Sequence, residues 1–395
     1  MSLTCLPRRV SQCLRVLGPC CRHRHQWVFS WLLVLPLVYG ERANLKALAR
    51  YGPDHLAYQH DRRLLCAASW CTKTLLGWFA EQALQALPPP EDGLLSLVGD
   101  STLKGTRGRQ HPVAHNTRLS QFHPSVFGFR IVLLRAQGDV SRIPVDFALL
   151  RRNDAPNYQT ENAWFRQMLQ EFRRPSWCHE VVVTAEAASA SQANLATIQA
   201  LDDGSVRALP RTWKVANGKA LKALVTHLPR WKSTQMRIPT VNTQRRRTLW
   251  VYAKRARRRH LGDVTVVWSQ CRRNDGPKQT TILVTNRPET GTAREIVGVS
   301  LRRWWRELLV NALNGVVGLG QHQVTTQADR VERSVAGAIM ASLLLLRLRA
   351  TDIPADRPWS AFRWPRALAW EVMAAPCERS AHQMARKWLQ MRTAA

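Results

Sequence analysis

VSLRRWWRELLVNALNGVVGLGQHQ, residues 299–323, begins as an amphipathic helix. Leu301, Trp304, Trp305, Leu308 and Ala312 recur at three- and four-residue steps and make one apolar face. The opposite ridge steps through Ser300, Arg303, Glu307, Asn311 and Asn314, polar at every position. Glu307 is the only acid between Ile296 and Ala328. Two readings stand open at this point. Glu307 pairs with Arg303 one turn earlier on a solvated ridge, or it points into a site together with other carboxylates.

The chain around this stretch holds 395 residues, long enough for two or three domains and a full-sized core. Its 45% hydrophobic content and 16 Trp exclude wholesale disorder. Lys and Arg number 58 against 27 Asp and Glu, a formal charge of +31 spread along the whole length. A folded chain so charged repels itself until it meets a polyanion, so nucleic acid is the first partner to consider. A membrane surface fits less well, because the basic residues are not gathered on one amphipathic helix. The longest apolar run, Trp27 to Tyr39, is too short to span a bilayer and contains Pro36. No small-residue cleavage site follows it, so it reads as a buried helix rather than a signal peptide. The nine Cys form no regular framework, and Cys20, Cys21, His23 and His25 lack the paired spacing of a zinc site. A reducing, cytoplasmic setting is expected.

Working back from the quoted stretch, residues 1–25 are rich in Arg and Cys without clear periodicity, and a helical pattern runs from about Trp27 to Leu87; residues 1–90 read as a small helical domain ending at the linker Pro88-Pro89-Pro90-Glu91-Asp92-Gly93. Leu94–Val98 reads as a strand that stops at Gly99-Asp100-Ser101-Thr102, followed by a polar loop from Lys104 to His123. Phe127–Arg135 and Ile143–Leu149 are strands, and Thr160–Phe172 is a helix. Glu180–Thr184 is a buried strand closed by Ala185-Glu186-Ala187-Ala188, and Ser191 caps the next helix. In residues 205–292, short β-prone runs alternate with basic turns at Arg245-Arg246-Arg247 and Arg255 to Arg259 (with Arg257 and Arg258 between), which reads as a β-rich insertion. Trp250 and Trp268 lie close enough in sequence to these clusters to offer stacking on a DNA base. The same basic clusters also fit solvated hairpin turns. Ala328–Arg349 is a long apolar helix, and residues 351–395 form a helical tail.

Asp100 and Glu186 each close a strand, and Glu307 sits on a helix beyond an insertion. Strand ends are where α/β sheets place their sites. Carboxylates converging without His or Cys suit hard, oxygen-seeking ions such as Mg²⁺ or Mn²⁺.

Leu97-Val98-Gly99-Asp100-Ser101-Thr102, Phe127-Gly128, Arg142-Ile143-Pro144-Val145, and Arg303-x₃-Glu307 leading into Gly315-x₂-Gly318-Leu319-Gly320-Gln321 together resemble the DDE transposases of bacterial insertion sequences. The similarity covers residues 94–350 or so. It implies an α/β fold: a ribonuclease-H-like mixed sheet flanked by helices, with a β-rich insertion and an N-terminal helical domain. The segments would be a DNA-binding domain at 1–90, a catalytic core at 94–204 and 293–350, the insertion at 205–292 and the tail at 351–395. It implies Asp100 and Glu307 as two of three catalytic carboxylates holding two metal ions. The basic clusters, with Arg245, Arg246, Arg247, Arg255, Arg257, Arg258 and Arg259, together with Trp250 and Arg303, are the residues expected to touch DNA. Double-stranded DNA, at the element ends and the target, would be the partner. A homodimer would form in the DNA complex, in a cytoplasmic, nucleoid-associated setting. The chain departs from the family pattern at three positions. Glu186 stands where the second Asp is expected, Ser300 in place of a Tyr and Asn314 in place of a Lys. Two functions therefore follow from the resemblance: metal-dependent cleavage and strand transfer at insertion-sequence ends, or DNA binding by an inactive descendant of such an enzyme.

Overall fold

The computed structural model describes residues 6, 8–17, 23–39, 70–86, 89–90, 93–106, 111–118, 125–137, 142–185, 191–201, 204–208, 234–240, 243–258, 262–271, 279–286, 293–302, 313, 317–319 and 327–352. Among the described residues the first elements are α1 (Arg8–Cys13), a short 3-10 helix at Leu14–Leu17, α2 (His23–Tyr39) and α3 (Thr72–Ala86). Strands β1 (Leu94–Gly105), β2 (His115–Arg118), β3 (Ser125–Gln137) and β4 (Arg142–Leu150) follow. Then come α4 (Glu161–Glu171), β5 (Glu180–Ala185), α5 (Gln192–Ala200) and β6 (Gly204–Ala208). Four longer strands succeed them: β7 (Thr234–Thr240), β8 (Thr243–Arg258), β9 (Gly262–Cys271) and β10 (Gln279–Thr285). Helices α6 (Ala293–Arg302) and α7 (Ala328–Asp352) close the described chain.

The strands make one mixed ten-stranded sheet in the order β2-β3-β1-β5-β6-β10-β9-β8-β7, with β4 also on β3. β3 runs antiparallel to β1 and β4, whereas β5 is parallel to β1 and β6 parallel to β5. β10 then pairs antiparallel to β6, so the β-rich strands of residues 234–285 extend the same sheet.

Local chemistry explains the helices. The hydroxyl of Thr160 accepts from the Ala163 N–H at 3.2 Å and that of Ser191 from the Asn194 N–H at 3.3 Å, capping α4 and α5. α4 buries Phe165, Met168 and Leu169 at helical spacing. α2 is apolar all round, and a helix without a polar face has to be buried. Phe29, Trp31, Leu33 and Val34 are accordingly sealed, and α2 packs on α7. α3 lies between α7 and β4. The helices of the first ninety residues thus share one apolar core with α7, β1, β3, β4 and α4. Among the described residues no helix is long and apolar enough to cross a membrane.

Three expectations change. β1 does not stop at Gly99 but runs through Asp100 to Gly105, because β3 continues to pair it as far as Gly105↔Gly128. Gly128 is needed there: a Cβ would run into the backbone carbonyl of Lys104. The polar stretch from Lys104 to His123 contributes the end of β1 and all of β2. Arg245–Arg247 and Arg255–Arg258 lie within β8 rather than in turns. A strand tolerates them because it is extended by its ladders to β7 and β9, whatever the charge of its side chains. The short β-prone run Arg211–Val215 lies outside the described residues.

Of the opening stretch, α6 accounts for residues up to Arg302; beyond it the described residues are Leu313, which is helical, and Val317, Gly318 and Leu319 in a turn. Gly318 has φ +68°, a left-handed conformation that strains any residue with a Cβ. The turn is closed by the Leu319 N–H donating to the Leu313 carbonyl at 2.8 Å.

Candidate functional site

Strand alternation decides which way β1 presents its residues. Leu95 and Leu97 belong to the core that contains Phe165 of α4. Gly99 continues this row, and a Cβ on it would overlap the Phe165 ring. Leu94 belongs instead to a second cluster on the other face, with Val182 of β5 and Ile296, Val297 and Val299 of α6. Asp100 has the parity of Leu94. It therefore stands on the face covered by α6, opposite α4.

Along β1, the parallel ladder to β5 runs from Leu94↔Glu180 to Val98↔Thr184. Two residues later comes Asp100, still paired to Leu133 of β3 and partly open to solvent. The strand end that matters is thus the end of β5, not of β1. Just below Asp100 on the same face, the hydroxyls of Ser96 and Thr184 lie 3.4 Å apart, and that of Thr184 donates to the Leu97 carbonyl at 3.3 Å. Both are buried and satisfied, so they tie β1 to β5 where the two strands approach the site.

Farther along, Lys104 shares the parity of Asp100, a residue that sequence reasoning left in a loop. Its signal was the even spacing 100, 102, 104, legible only once β1 is known to continue. Burial lowers the Lys104 ammonium from its usual 10.5 to about 8. Because this folded value lies below the unfolded one, the cost is fully present below about pH 8 and is lifted as pH rises toward 10.5. Lys104→Met should therefore raise the melting temperature at pH 7, with a smaller gain at pH 10. A gain independent of pH in thermal scans would show that packing, not charge, sets it. Lys104 pairs with Phe129, on which His111 stacks at 4.9 Å between ring centroids. Burial pushes the His111 pKa down, so its imidazole is neutral at pH 7.

The other expected site residues fall in three groups. Glu186, Arg303, Glu307 and Arg259 lie outside the described residues. Arg245, Arg246, Arg247 and Arg258 are placed along β8 by their backbone. Arg255 and Arg257 are exposed, opposite Thr265 and Asp263 of β9, and Trp250 is partly buried opposite Gln270. Trp268 is not available to stack on a base: it is 2% exposed and lies against Tyr252, with 5.6 Å between ring centroids. Among the described residues no three His, Cys, Asp or Glu side chains come together as a metal centre.

A separate cleft of about 460 Å³ opens beside β4, walled by Lys73, Phe147, Arg151, Tyr158, Trp164 and Glu332. Asp100 is not among its walls. Lys73 is held there by Glu171 at 2.7 Å and by Asp146 at 3.6 Å. Asp146 in turn accepts from the Phe147 N–H at 2.8 Å. The arrangement ties α3, β4 and α4 together and is structural.

No protein-family model matches the sequence, and no curated protein matches it. Among solved structures, one similar chain comes from the cryo-EM structure of a piggyBac transposase synaptic complex with hairpin DNA. It has a TM-score of 0.50 at 12% identity, over 98% of this chain and 83% of that one. At this identity the likeness is one of fold. The chain has a transposase-like fold, mixed α/β with a mixed sheet and flanking helices.

Proposed function

We propose that this chain is a DNA transposase of the DDE type, with a ribonuclease-H-like core. In this reading it cleaves and joins DNA strands at the ends of an insertion sequence. The observation that carries it is the position of Asp100: on the α6 face of β1, two residues past the end of the parallel ladder to β5. That ladder advances one residue of β5 for each residue of β1. In sequence, Glu186 comes two residues after Thr184, the last residue of that ladder. In sequence, Glu307 follows α6, five residues after Arg302. The overall charge of +31 and the transposase-like fold support duplex DNA as the partner.

Asp100, Glu186 and Glu307 form a donor set of carboxylates without His or Cys, which fits Mg²⁺ or Mn²⁺. Two such ions would supply Lewis-acid stabilisation of the charge that develops at a phosphodiester during in-line displacement. Asp100 offers its oxygens from a strand that β3 still holds at this level, so its backbone placement costs no reordering. Arg303 binds a phosphate oxygen of the scissile strand. Arg255 and Arg257, exposed on β8, hold the backbone of the flanking duplex. A homodimer bringing two DNA ends together, in a cytoplasmic, nucleoid-associated setting, completes the proposal.

Glu186 sets the level of activity. It has the charge of Asp but one more methylene, about 1.5 Å of extra reach, where catalytic groups need placement within about 0.5 Å. The protein as it stands should cleave weakly, and Glu186→Asp should raise cleavage, more with Mn²⁺ than with Mg²⁺. The assay is strand nicking on duplexes carrying the DNA that flanks the coding sequence on either side. Equal activity in Glu186→Asp and Glu186→Ala would remove Glu186 from the site. Salt-dependent duplex binding with no cleavage by any variant would favour the second reading, a transposase-derived DNA-binding protein. The departures at Glu186, Ser300 and Asn314 are what favour it.

A further inference from the structure

β7 pairs with β8 from Thr243 to Val251, whereas β9 pairs with β8 only from Leu249 onward. Among the described residues, the first third of β8 thus has a partner on one side alone. Together with β7 it forms a two-stranded ribbon, Arg237–Thr240 paired with Thr243–Thr248, beyond the described reach of β9. Its two strands read RIPT and TQRRRT. Arg237, Arg245, Arg246 and Arg247 stand on it, and no Asp or Glu does.

The base of the ribbon is anchored, because Met236 packs against the cluster under α6. On either side of Met236, Gln235 and Arg237 are exposed, as is Thr248 directly across from Arg237. Pro239 lies within β7, opposite Arg246. A proline has no N–H to offer, so growth of the sheet by another strand at this edge is disfavoured. The occupant that fits is a polyanion rather than a further β-strand.

We propose that this ribbon enters the major groove of B-form DNA and reads base edges there. The proposal rests on the reading of duplex DNA as the partner given above. Paired strands lie about 4.8 Å apart, so a two-stranded ribbon with side chains is roughly 10 Å across. The major groove, about 12 Å wide, admits it, and the minor groove, about 6 Å wide, does not. Arginine is the side chain best suited to the paired acceptors of guanine in that groove. The deep, narrow major groove of A-form RNA excludes the ribbon. Arg255 and Arg257 lie toward the other end of β8 and act on phosphates instead.

Binding of the full chain to two forty-base-pair duplexes of one mixed sequence tests this. One duplex carries ordinary cytosine. The other carries glucosylated 5-hydroxymethylcytosine, which fills the major groove and leaves the minor groove open. The unmodified protein should bind the blocked duplex at least about tenfold more weakly. The combined variant Arg245→Ala, Arg246→Ala, Arg247→Ala should bind both duplexes alike. The same three changed to Lys keep the charge and lose the planar fork. That variant should retain the salt dependence and lose most of the discrimination, which separates groove reading from a folding defect.

Indifference of the unmodified protein to the blocked duplex, with displacement by the minor-groove ligand netropsin, would overturn the proposal and leave DNA as the partner. Tighter binding to duplex RNA of the same sequence would overturn it as well. Failure to bind any duplex would overturn both this proposal and the function on which it rests.

Discussion

Asp100→Asn, made in the Glu186→Asp background so that cleavage is measurable, should lower metal-dependent strand nicking by at least about 100-fold. Even partners that only orient metal ligands cost 10- to 100-fold when replaced, and a direct ligand should cost no less. Asparagine keeps the shape and can still accept a hydrogen bond, but it cannot hold a divalent cation by charge. Duplex binding should persist and tighten slightly, because the substitution removes a negative charge from a chain that faces phosphates. Nicking on an end-bearing duplex and binding without metal, measured on one preparation, separate the two effects. Nicking that survives Asp100→Asn would remove this residue from the chemistry. Loss of folding would make it a structural member of β1.

Gly99→Ala should be strongly damaging, on the order of 3 kcal/mol, the upper end of the cost of overfilling a core. The added Cβ meets the ring of Phe165, which is 2% exposed and has no free volume to move into. Either α4 lifts from the sheet or β1 bends, and both disturb the strand that carries Asp100. Phe165→Leu on its own should also destabilise, by emptying part of the same space. The two together should cost less than the sum of the single changes, since each relieves the other. Melting temperatures of the four proteins measure that coupling. Strict additivity would mean that β1 and α4 do not meet at Gly99.

Several elements were legible because their causes are local. Thr160 and Ser191 announce helix starts through a hydroxyl that can accept from an N–H three residues on, and both do. The buried strand at Glu180–Thr184 shows as a run of valines, and the apolar run from Trp27 shows a helix sealed on all sides. The motif glycines were visible as glycines, but their reasons were not. Gly99 answers to an aromatic ring on α4, Gly128 to a carbonyl on β1, and Gly318 to a left-handed turn.

The errors share one origin. Asp100-Ser101-Thr102 and the arginine runs of β8 have the polarity of turns, and sequence polarity reports exposure rather than backbone path. Whether a polar segment stays extended depends on a partner strand, and that partner lies about thirty residues away for Asp100↔Leu133. Trp268 looked like a free aromatic because nothing in sequence shows Tyr252 beside it.

By itself, then, the amino-acid sequence determined the net charge, the kind of residue at each position of the candidate site, and those helices and strands whose causes are local. These follow from side-chain chemistry and short-range periodicity. Tertiary structure alone decided that β1 continues past Asp100, and that Asp100 shares a face with α6. It also decided that the β-rich strands extend the central sheet. Each depends on which strand lies beside which, and a strand takes its ladder partners and its buried face from residues far along the chain.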